Sequence, residues 1–187
     1  MSSNDENNDI QRPNFFDGMM LTADDFQTLQ KYSQNKRRRH NRCFRGSRVA
    51  CGLEVNLRRN TVYIEPGMAL DCQGNEIVLS EPVKISLPAR KRRFFLTIIY
   101  SEIKTNPVPG FIDDYDLSTG KFRRIKESFK LDWSARDPLS GHKWHNGAWV
   151  TCGGFHPIAI AKFVIRHGKV MLSKSFEEKI NRGRQIW

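Results

Sequence analysis

The chain has 187 residues, with 31 lysines and arginines against 20 aspartates and glutamates, a net charge of +11. Its length predicts one domain with an appended element, burying roughly two-thirds of the surface its unfolded chain would expose. The charge predicts attraction to an anionic surface, while no apolar run approaches the roughly 20 residues of a membrane-spanning helix.

Taken from the start, residues 1–11 are polar and acidic, with nothing to anchor a core, and read as a disordered tail. The same opening, MSSNDENNDI, lacks the features of a secretory signal or transit peptide, so a cytoplasmic location is expected. Residues 12–46 then read as an extended arm and a helix. Thr22 is placed as an N-cap with Asp25 three residues on, and Leu21 and Phe26 have the spacing of a hydrophobic staple. Asp24 and Asp25 begin the helix and Lys36–Arg39, Arg42 and Arg45 end it, each sign where the helix dipole favours it. Gly46 is a terminator, so the helix spans about 23–45 and is about 34 Å long. Its apolar stripe, led by Phe26 and Leu29, thins toward the arginines. The first half is therefore expected to pack on a core, and the second to be solvated or to meet something acidic.

Residues 47–175 read as β-rich. VACGLEVNL, TVYIEPGMAL and EIVLSEPVKISL are strand-like segments joined at Arg59-Asn60 and Gln73-Gly74-Asn75, which predicts an antiparallel meander. Pro66 and Pro82 mark strand breaks or edges. FFLTIIYSEI (94–103) is the most apolar run and reads as a central strand. Residues 104–122 read as a loop, RRIKESFKLDW as a strand, and 134–148 as a second loop. HPIAIAKFVIRHGKVMLSKS reads as a hairpin turning at His167-Gly168, and 176–187 as a polar tail with a short helix. Cys43, Cys51, Cys72 and Cys152 contain no C-x-x-C pair, and reduced, mostly buried thiols are expected.

No Walker loop, G-x-S-x-G, G-x-G-x-x-G or H-E-x-x-H occurs. His142, His145, Cys152 and His156 are of zinc-ligand type, but their spacing matches no standard site, and polar cover is the better reading. Glu102 and Lys104, with Asp113, Asp114 and Asp116, have the flavour of a metal-dependent nuclease; a solvated loop and a strand-end pair explain them more simply. No enzyme, metal or cofactor is expected. The candidate binding residues are two basic clusters: Lys36, Arg37, Arg38, Arg39, Arg42, Arg45 and Arg48, then Arg90, Lys91, Arg92 and Arg93. Such clusters neutralise phosphates or meet an acidic protein face.

RPNFFDGMMLTADDFQTLQKYSQNKRRRHNRCFRGSRVACGLEV and PGMALDCQGNEIVL (66–79) resemble a pattern of baseplate and tail-associated proteins of phage-tail-like contractile injection systems. In that pattern an R-P-x-Y/F-F-x-G-x-x-L-T-x-x-D-F segment precedes a helix ending R-R-x-H-N-R. A V-x-C-G-L-E-V strand and a P-G-x-A-x-D-x-x-G-x-E-I segment follow. The likeness is strong over 12–79 and loose after 104, and the chain departs from the pattern in being short and unusually basic. It implies a non-catalytic docking and assembly role among other protein subunits. It also implies an arm anchored by Pro13, Phe15 and Phe16, and His40, Asn41 and Arg42 bonding the β-turns that follow. The expected fold is α+β and mostly β, a small antiparallel sheet or sandwich with one long N-terminal helix. The alternative function is a basic adaptor or regulator in a bacterial defence system, binding a partner protein or nucleic acid.

Overall fold

The computed structural model describes residues 10–44, 46–89, 93–108, 121–138 and 156–184. After the arm, α1 (Ala23–Phe44) opens on the box read from the sequence: the Asp25 carboxylate accepts the Thr22 N–H at 2.8 Å, and the Thr22 hydroxyl accepts the Asp25 N–H at 3.4 Å. Two otherwise unsatisfied amide donors of the first turn are thereby paired.

The three segments expected to form a meander each run through two sheets. The first supplies β1 (Arg48–Gly52) and β2 (Val55–Arg58), the second β3 (Thr61–Ile64) and β4 (Gly67–Leu70), the third β5 (Glu76–Leu79) and β6 (Val83–Ser86). One sheet has the order β1-β4-β5 and the other β2-β3-β6, all antiparallel. The result is a meander with a crease across it. At the crease the backbone of Gly52 and Leu53 is left-handed (φ 56° and 57°), and a Cβ on Gly52 would fall on the Pro66 carbonyl oxygen. The ladder continues over the bend through Leu53 N–H to Pro66 O (3.1 Å) and Glu65 N–H to Glu54 O (2.9 Å). Pro66 and Pro82 both fall between strands, where a missing N–H interrupts no ladder.

β7 (Phe94–Pro107) is indeed central, between β8 (Phe122–Ser134) and β9 (Ile158–Arg166), with β10 (Lys169–Leu172) beyond β9. His167 and Gly168, both at positive φ, turn the last hairpin. The loop expected over 104–122 is shorter at its start, because β7 continues to Pro107 and pairs there with Phe122. Lys104 and Thr105 were obscured as strand residues by the Asn-Pro that follows them. Phe94 stacks on Phe163 at 5.2 Å, and Trp133 meets both rings edge-on. With Val62, Ile64, Leu96 and Ile98 these rings sit at the centre of the core.

A second helix, α2 (Lys174–Arg184), closes the chain. Phe176 and Glu177 donate their N–H groups to the Ser173 carbonyl, and Phe176 meets Phe95 edge-on at 5.8 Å. Ile180 packs on the core, so α2 rests on β1 and β9. Its apolar residues, spaced four apart in a lysine- and glutamate-rich segment, give a weaker sequence signal than α1. None of Cys43, Cys51 and Cys72 is in a disulfide, but only Cys72 is buried. Cys43 and Cys51 are exposed, against the expectation of mostly buried thiols, because they lie on solvent-facing positions of α1 and β1.

Candidate docking surface and its anchor

The sequence expects the apolar half of α1 on the core, and the basic half in solvent or against something acidic. The structure overturns the first expectation. Phe26 and Leu29 are 56% and 38% exposed, and Phe16 and Met20 of the arm are 67% and 85% exposed. Among the described residues α1 makes no extensive packing with any strand or with α2. It is held instead at its basic end.

The holding piece is the turn between β4 and β5. Asp71 organises it: one carboxylate oxygen accepts the N–H groups of Gln73 and Asn75 (2.9 and 2.8 Å), and the other accepts the Asn75 side-chain amide (2.7 Å). The turn then presents its outer carbonyls and side chains to the helix. Asn41, itself buried, donates to the Gly74 carbonyl at 3.0 Å and to the Glu76 carboxylate at 3.1 Å. Arg42 donates to the Gln73 carbonyl at 2.9 Å, and Arg38 Nε to the Asn75 side-chain oxygen at 2.7 Å. Gly74 is at φ 84°, and a Cβ there would strike the Arg38 carbonyl, so only glycine lets the turn approach the helix backbone this closely. Asn41 and Arg42 thus bond the turn as expected, and Arg38 joins them; His40 is exposed but engaged within the chain. Burial, and then the charges of Arg39 and Arg38, lower the Arg42 pKa.

Beside the anchor a cleft forms where Gln34, Arg37 and Arg38 face Glu76, Tyr100 and Glu127. The Tyr100 hydroxyl donates to Glu102 at 2.8 Å. Burial, that bond and the Glu127 charge push the Tyr100 pKa well up. Arg37 and Arg38 therefore lie beside carboxylates of their own chain.

The other candidate residues scatter. Lys36 is exposed, with its ammonium over the Tyr32 ring at 5.9 Å. Arg39 is half-buried and engaged within the chain, as is Arg48 at the head of β1. Arg93 is exposed just before β7. Arg45, Arg90, Lys91 and Arg92 lie outside the described residues, as do His142, His145, Cys152, Asp113, Asp114 and Asp116. His156 places Nδ1 3.5 Å from the Cys72 sulfur. Among the described residues no group of three or more histidine, cysteine, aspartate or glutamate side chains is placed to hold a metal. No helix of the described residues is long and apolar enough to cross a membrane.

A third set of cations, Arg123, Arg124, Lys126 and Lys130, is exposed along β8. RRIKESFK carries them in plain view, but alternation with Phe129, Leu131 and Trp133 marks the segment as an ordinary half-buried strand.

No family model and no curated protein sequence matches the chain. Solved structures do. A chain of the type VI secretion system TssK-TssF-TssG baseplate subcomplex, solved by cryo-electron microscopy, superposes with a TM-score of 0.52 at 11% identity, over 88% of this chain and 60% of that one. A crystal structure of TssK gives 0.48 at 11% identity, over 88% and 41%, and the baseplate complex of the type VI secretion system 0.45 at 13%, over 88% and 58%. This chain thus spans about three-fifths of the first of those chains, and what it shares with that chain is a fold.

Proposed function

We propose that the chain is a non-catalytic assembly protein of a phage-tail-like contractile particle, docking other subunits through its arm and the first half of α1. One observation carries this reading. The helix is fixed to the sheet by its polar end, so its apolar end, with the arm leading into it, faces solvent. A helix tethered at Arg38, Asn41 and Arg42 would gain from burying Phe26 and Leu29 on its own body. Leaving them out forgoes roughly 1.5–3 kcal/mol for each large apolar side chain. Large apolar side chains left exposed together on one arm and one helix end are what an interaction site requires. The fold shared with a baseplate chain and the resemblance of residues 12–79 support a tail-like particle as the setting. The subunit partners would then be proteins, and assembly would take place in the cytoplasm. The basic-adaptor alternative rests on the two basic clusters, and two of their cations, Arg38 and Arg42, are engaged by the chain's own turn.

The test is the pair Phe16→Ser and Phe26→Ser in a tagged chain purified from its native host. Both side chains are exposed, so the variant is expected to unfold within about 0.5 kcal/mol of the unmodified protein. Co-purification of tail-particle proteins, identified by mass spectrometry, is expected to fall about tenfold or more, the equivalent of about 1.4 kcal/mol. Unchanged co-purification would contradict the reading, and recovery of nucleic acid in place of those proteins would favour the adaptor.

A further inference from the structure

Among the described residues β8 is an edge strand: the four-stranded sheet runs β10-β9-β7-β8, and β8 pairs there with β7 alone. It is 13 residues long, or about 40 Å at 3.4 Å per residue, where strands commonly have about 5–6 residues. Its register with β7 is unbroken from Phe95↔Ser134 to Pro107↔Phe122, and the left-handed residue of the ribbon, Asn106, is on β7. β9 pairs with β7 only over Phe94–Ile98, and beyond the Glu102↔Glu127 pair, where Glu127 still borders the α1 cleft, the two strands continue as a ribbon.

Proteins keep such edges short, bulge them or cover them. Cations on an edge are the usual guard, and that is the plain account of Arg124 and Lys126. It does not account for the length, the absence of a register shift, or the exposed Ile125 at 58% and Ile103 at 49%. The two faces of the outer ribbon differ. Arg124 and Lys126 project from one face, about 7 Å apart, and Lys130 follows on the same face beyond Ser128, where β8 pairs with Ile99 of the body. Ile103 and Thr105 lie opposite Lys126 and Arg124 on that face. Ile125 projects from the other face, between Arg123 and Glu127 and opposite Lys104. Among the described residues no side-chain hydrogen bond or ring contact of Arg124, Lys126 or Lys130 is found.

We infer that the outer edge of β8 receives an added strand from a partner protein, and that this strand alternates acidic residues on one face with apolar residues on the other. The backbone ladder supplies the attachment, the cation row selects carboxylates at every second position, and Ile125 receives an apolar neighbour between them. The same cations select against a second copy of this chain, because two β8 edges would bring like charges together. The assignment rests on the chain being a docking protein, and adds a site separate from the arm.

The experiment uses the full-length protein and a short fluorescent peptide alternating glutamate with valine, read by anisotropy and by hydrogen exchange. Binding about tenfold tighter than that of the lysine-valine counterpart is expected, with new protection over Phe122–Ser134. Methylating the peptide's backbone nitrogens on one edge should abolish it, and Arg124→Glu with Lys126→Glu should reverse the preference between the two peptides. Binding that survives methylation, protection elsewhere, or no binding overturns the inference. So does duplex DNA binding to β8 where the peptide does not, or a dimer that the charge reversal disrupts. Any of these leaves the arm reading standing if Phe16→Ser with Phe26→Ser still loses the tail-particle proteins. If that pair changes nothing, it is the docking reading itself that fails.

Discussion

Two residues, Asn41 and Gly74, decide whether α1 stays attached. Asn41→Ala removes both donors to the turn and leaves the buried Gly74 carbonyl without that partner, which costs about 1–3 kcal/mol. Gly74→Ala adds left-handed strain and a clash with the Arg38 carbonyl, so it is expected to release the helix even where the sheet survives. Hydrogen exchange over Ala23–Phe44, with denaturant unfolding of the whole chain, checks both: faster exchange in the helix, with the β-sheet amides still protected, is the expected outcome. At the other end of the helix, Asp25 is held below the ordinary aspartate pKa by the Thr22 N–H and then the Thr22 hydroxyl. A lowered carboxylate pKa means the cap contributes fully above the ordinary value of about 3.9 and is lost as pH falls through the lower folded value. Fraying of the first turn of α1 should therefore appear only below about pH 4, and Asp25→Asn should fray it at neutral pH as well, measured by amide exchange at Asp25 and Phe26.

At the scale of elements, the helix boundaries, its cap, the central strand β7 and the His167-Gly168 hairpin were legible in the sequence. Each rests on a local signal: a cap, an apolar run, a turn pair. The crease was not. VACGLEVNL alternates well enough to pass for one strand, and what divides it is the close approach of Gly52 to Pro66, a contact between segments. The orientation of α1 was missed for a related reason. Periodicity shows which face of a helix is apolar, and the stripe was read as facing this chain's own core. That Asn41 and Arg42 would bond a turn was legible from their place in the pattern; that this end carries the attachment follows only from Gly74 meeting Arg38. α2 is the element whose contribution to stability sequence undervalues most. Phe176→Ala removes the edge-on contact with Phe95, and about 2 kcal/mol is expected for a half-buried ring, less than the 3–5 kcal/mol of a fully buried one. Denaturant titration checks it, and a change below about 0.5 kcal/mol would place α2 outside the cooperative core.

Over the whole molecule, the net charge of +11 divides into parts with different roles. Arg38 and Arg42 hold the helix to the turn, Arg37 lines a cleft with Glu76 and Glu127, and the β8 row faces outward. A single anionic partner meeting one basic patch is therefore a poor summary of the surface. The arrangement is a β body with two projecting elements, the apolar α1 with its arm and the basic β7–β8 ribbon. The docking role depends most on the first of these. A photo-activated crosslinking residue in place of Phe26, expressed in the native host and irradiated there, tests it directly. The account predicts a protein adduct, identified by mass spectrometry as a component of a tail-like particle, that Gly74→Ala weakens by releasing the helix. An adduct only to residues of the chain's own β-sheets would contradict it, because Phe26 would then lie against the body.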